Sequence, residues 1–104
     1  MLERRCGGNE TIQRQLLEIM AESLPHRLNE IQNALANRDL QRIQLISHQL
    51  KGAAGDTALL AIQEQAAILE REAMVERSDL IPATIAELEE RVGRTLVELE
   101  ELLN

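Results

Sequence analysis

The chain has 104 residues, 11 basic against 18 acidic side chains, a formal charge of -7 and no aromatic residue. That length supports one domain with one core. The acidic balance argues against a phosphate-binding stripe, and therefore against nucleic acid as a partner. The missing aromatics remove any base- or sugar-stacking platform. One cysteine, Cys6, can neither close an internal disulfide nor assemble a zinc site alone. No apolar run approaches the ~20 residues that span a bilayer, and no segment reads as a signal peptide. These features describe a small acidic protein of the reducing cytoplasm.

Residues 1–8 hold Arg4-Arg5 and Gly7-Gly8 without apolar periodicity and read as a flexible tail. From Asn9 the pattern is helical: Ile12, Leu16 and Ile19/Met20 share a stripe that Leu24, Leu28, Ile31 and Leu35 continue. Pro25 interrupts this run and either splits it into two helices or kinks one. Asn37-Arg38-Asp39 forms a polar turn whose Asp39 suits an N-cap. A second helix is expected from Leu40 to Ala54, ended by Gly55-Asp56-Thr57. Leu59, Ile62, Ala66, Leu69 and Ala73 mark a third. Ser78-Asp79 is expected to cap a last helix with Pro82 in its first turn and a buried stripe of Ile85, Leu88, Val92, Leu96, Leu99 and Leu103. Short connections and no strand pattern point to an all-α, antiparallel up-down four-helix bundle over residues 9–104, its first segment split or kinked at Pro25.

On a wheel of 100 degrees per residue centred on His48, Ile43, Ile46, Leu50, Ala53 and Ala54 fall between about 140 and 240 degrees, the core side. Gln41, Gln44, Lys51, Gly52 and Gly55 fall within roughly 60 degrees of His48, and so does Leu45. His48 therefore points outward among polar and very small residues. Each glycine costs about 1 kcal/mol against alanine inside a helix, which clearance for an approaching macromolecule would explain. Lys51, the only lysine in the chain, lies one turn from His48. A cation there favours the neutral, nucleophilic imidazole and would stabilise a dianion attached to it. His26 has neither lysine nor glycine at the matching positions and reads as a surface histidine. No Glu precedes either histidine by three residues, so an inward metal site of the bundle type is not expected.

The run His48-Gln49-Leu50-Lys51-Gly52-Ala53-Ala54-Gly55 closely resembles the signature of histidine phosphotransfer (HPt) domains, His-x-Leu-Lys-Gly followed by small residues. The Leu24-Pro25 interruption, the turn at Asp39 and the order of helices extend the likeness from about Asn9 to Leu103. The resemblance implies a phosphorelay carrier: His48 accepts a phosphoryl group from the aspartyl phosphate of one receiver domain and passes it to another. Lys51 would neutralise the phosphoryl oxygens, and Gly52 and Gly55, with Gln44 and Leu45, would belong to the docking surface. Family members often place a side chain 22 residues past the histidine to hold its other ring nitrogen, and here that position is Glu70. Its simpler alternative is a surface pair with Arg71 or Arg77. One departure is Ala58, where the family commonly has glycine.

The implied protein is a monomeric carrier and not an enzyme with an ATP site. It needs no cofactor of its own, the Mg2+ being expected in the receiver-domain partner, and has no membrane contact. It would be free-standing or the terminal domain of a hybrid sensor kinase. The competing reading is a helical interaction or dimerisation module in which no residue reacts.

Overall fold

Apolar residues at three-four spacing bury their area only if several helices share one core. The computed structural model describes residues 6–104 as four such helices. These are α1 (Cys6–Ala36), α2 (Leu40–Asp56), α3 (Leu60–Met74) and α4 (Ile81–Leu103). Each helix packs on its two neighbours in a closed ring, α1 on α2 and α4, α3 on α2 and α4, and among the described residues no pair meets across the diagonal. The core is mainly aliphatic: Leu24, Ile31, Ile43, Leu50, Ile62, Leu69, Ile81 and Leu88 are fully buried. The α2–α3 hairpin is the most extensively packed pair.

α1 is one continuous helix with Pro25 inside it. Proline removes one backbone hydrogen bond and crowds the preceding turn, at a cost of about 3 kcal/mol. The Met20, Leu24, Ile31 and Ala34 face lies buried on both sides of the break, which holds the two halves in register. The Ser23 hydroxyl donates to the Met20 carbonyl, 3.2 Å away, just before it. α1 begins at Cys6 rather than Asn9, and the remainder of the expected tail, residues 1–5, lies outside the described residues. The expected stripe also fails at its start: Ile12, Leu16 and Ile19 are exposed, and only Met20 is buried. Helix α1 has 31 residues against 17 in α2 and 15 in α3, so the α2–α3 hairpin is too short to cover the whole of it. At that end the Arg14 guanidinium donates to the Leu103 carbonyl, satisfying an orphan acceptor at the terminus of α4.

Asp39 caps α2 as expected, its carboxylate accepting from the Arg42 amide at 3.1 Å. α2 runs two residues past Ala54 to Asp56, through Gly55. The cap of α4 is Leu80, without a side-chain bond, and Pro82 follows in the first turn. Asp79 forms instead a two-bonded pair with Arg77, at 3.0 and 3.1 Å, which draws the carboxylate away from a capping role.

The three interhelical turns share one construction. Asp39 donates to Ala34, Leu59 to Ala54 and Arg77 to Glu72, each across five residues, closing the helix end as a Schellman motif. The motif needs a left-handed residue, and here these are Arg38 (φ 53), Ala58 (φ 59) and Glu76 (φ 58). None is glycine, so each turn carries the strain of a Cβ in that region. The departure at Ala58 is therefore conformational rather than a question of packing space. Ala58→Gly is expected to raise stability by about 0.5–1 kcal/mol, the relief of strain less the extra chain entropy of glycine; denaturant unfolding of the two proteins measures it.

Candidate functional site

Burial of Ile43, Ile46, Ser47, Leu50 and Ala54 fixes the rotation of α2. That rotation turns the His48 side chain outward, 63% exposed. On α3, burial of Ile62, Gln65, Ala66, Leu69 and Ala73 fixes the opposing face. Glu70 follows Leu69 at the edge of that face and reaches α2, its side chain only 13% exposed.

Glu70 holds two groups at once. Its Oε2 lies 2.8 Å from His48 Nδ1 and its Oε1 lies 2.7 Å from Lys51 Nζ. A carboxylate can only accept, so Nδ1 carries the proton and, in the neutral ring, Nε2 keeps its lone pair. The Lys51 ammonium is the main cause that holds the Glu70 carboxyl below its usual range. Partial burial opposes it and the His48 contact assists it. Glu70 pairs with neither Arg71 nor Arg77, the latter being taken by Asp79. Lys51 is accordingly paired across the hairpin rather than free beside the ring.

A Cβ built on Gly52 meets no atom within 4 Å, so no packing contact in the fold requires glycine there. At Gly55 a Cβ would come 2.7 Å from the Gln63 amide nitrogen, the mobile end of a side chain. Gln44 is half-buried and Leu45 is 54% exposed. Both line an open groove of about 540 Å³ that also holds Gln41, His48, Glu70 and Met74. His26 is exposed, as expected.

Two residues escape a sequence reading. Ser47, beside His48, is fully buried with no partner for its hydroxyl. The wheel alone puts it beyond the apolar arc, and a serine gives no apolar signal. Met74 enters the groove from the last position of α3. Its signal was available in principle, since it lies one turn after Glu70. Among the described residues no group of three or more His, Cys, Asp or Glu side chains could hold a metal ion, and no helix is long and apolar enough to cross a membrane.

A family model for the Hpt domain matches residues 15–104, which include all four helices' packed portions and every residue of this site. The chain belongs to the Hpt domain family. No curated protein and no solved structure gives a significant match to it. Hpt domains are phosphocarriers of two-component phosphorelays, not kinases themselves, and they interact with response-regulator receiver domains.

The geometry of this Hpt domain predicts a pH signature. The folded carboxyl of Glu70 titrates below its unfolded value, so the stabilisation is complete above the ordinary carboxylate value of ~4.3 and is lost as pH falls through the depressed folded value. Glu70→Gln is expected to lower stability by about 1 kcal/mol at neutral pH. That difference should close in the acid range, as read by unfolding curves of both proteins at successive pH values.

Proposed function

We propose that this Hpt domain carries a phosphoryl group on Nε2 of His48, accepting it from the aspartyl phosphate of one receiver domain and giving it to the aspartate of another. The observation that supports this most directly is the Glu70–Nδ1 hydrogen bond of 2.8 Å on a ring that is otherwise open to solvent. In the neutral ring that bond places the proton on the inner nitrogen and leaves the lone pair on the outer one.

In the forward step the Nε2 lone pair attacks phosphorus in line. The N–P bond forms as the bond to the aspartyl oxygen breaks, and the receiver's carboxylate leaves with that electron pair. The ring keeps its Nδ1 proton and becomes cationic, and the Glu70 carboxylate, which resists protonation, balances that charge. Lys51, held at the site by the other Glu70 oxygen, neutralises the phosphoryl oxygens from one turn away. Return transfer to a receiver reverses these bond changes. Any Mg2+ the transfer requires belongs to the receiver's acidic pocket. Gly52 and Gly55 keep the helix surface beside the ring low enough for that pocket to close over it. Such partners would place the domain in the cytoplasm.

Incubation with a phosphorylated receiver domain tests the reading. The wild type is expected to take up an acid-labile, base-stable label, and His48→Gln to take up none while keeping its helical signal; uptake by that variant would refute His48 as the carrier. Gly52→Ala separates function from folding. With open space around the added methyl, it should raise stability by about 1 kcal/mol and yet slow transfer from the receiver.

A further inference from the structure

We infer that Met74 is a docking residue for the receiver domain, so that the partner lies across the α2–α3 groove instead of resting on α2 alone. The inference rests on the reading of His48 as the phosphoryl carrier. Met74 is 58% exposed at the end of α3, one turn past Glu70; Leu45 is 54% exposed on α2, one turn before His48. Each helix thus places one large apolar side chain on the same side of the His48–Glu70 hydrogen bond. The two line one groove of about 540 Å³ that holds His48 itself.

The remaining groove residues between them, Gln41 and Gln44, are uncharged, in a chain with a formal charge of -7. Of the six residues lining the groove Glu70 alone carries a fixed charge, and Met74 and the two glutamines also border an adjoining groove that holds Arg38, Asp39 and Glu76. Apolar anchors beside a charged margin are the arrangement of an interface core and its polar rim. The occupant follows from the chemistry. A partner that brings phosphorus to Nε2 must enter this groove, and a wall one turn from the reacting atom falls inside the footprint of any globular domain that does so. A thioether on an unbranched side chain can also repack against more than one surface. A relay carrier needs that property, because donor and acceptor receivers dock at the same place.

The test compares two phosphodonors on one protein. One is a phosphorylated receiver domain; the other is phosphoramidate, a small donor that loses ammonia as it phosphorylates imidazole and needs no docking surface. For Met74→Glu, the ratio of the receiver rate to the phosphoramidate rate at sub-saturating receiver should fall roughly tenfold or more, the scale of a lost interface anchor. Met74→Leu should keep most of the ratio, and Val97→Glu, at an equally exposed apolar position on α4, should leave it unchanged. An unaltered ratio for Met74→Glu overturns the docking role while leaving His48 as carrier. So does a parallel loss with both donors, which would mean damage to the reacting group. No label on the wild type from either donor overturns the carrier reading, and the docking role with it.

Discussion

One carboxylate organises the candidate site. Glu70 reaches from α3 to α2 and binds an imidazole nitrogen with one oxygen and an ammonium with the other. Both contacts demand that α2 and α3 hold their rotation to within a fraction of a turn, since Glu70 sits at the edge of the buried face of α3 and must reach His48 and Lys51 on α2 together. The best-packed hairpin of the molecule supplies that constraint. The carboxylate in turn ties the hairpin together at its surface, where aliphatic packing has ended. Stability and site geometry therefore share the same residues, and the lowered proton affinity of Glu70 is the thermodynamic trace of that sharing.

The rest of the fold reaches its shape by accepting strain at defined places. Three helix ends close through left-handed residues that are not glycine, and a proline stands inside the longest helix. A core without aromatic rings makes up for this with many branched aliphatic contacts around a closed ring of four helices. At the start of α1 the apolar Ile12, Leu16 and Ile19 are left exposed, and Arg14 ties that end to the terminus of α4.

Much of this was legible in the sequence because periodicity reports burial directly. The four helices, the Asp39 cap and the outward direction of His48 follow from apolar spacing and from one capping residue. The early stripe on α1 misled, because Ile12, Leu16 and Ile19 keep helical spacing whether or not a neighbouring helix is long enough to cover them. The expected Ser78-Asp79 cap failed because Arg77 competes for the same carboxylate, a contact that a capping rule does not weigh. Pairing of Lys51 with Glu70 was equally hidden: spacing within a helix says which residues share a face, and it is silent on which charge a neighbouring helix presents. Met74 was readable as a neighbour of Glu70 on α3, one turn on, but its place beside Leu45 and His48 arises only when α3 lies against α2.

The openness of His48 has a consequence in time. Its side chain is 63% exposed, and among the described residues nothing closes over the groove around it. A phosphoramidate formed there would stand in bulk water, with none of the described residues placed to shelter the N–P bond. Its lifetime between partners would be the intrinsic lifetime of phosphohistidine, and the clock of the relay would be set by how often a receiver arrives. Retention of the signal would then be a property of partner concentration rather than of this fold.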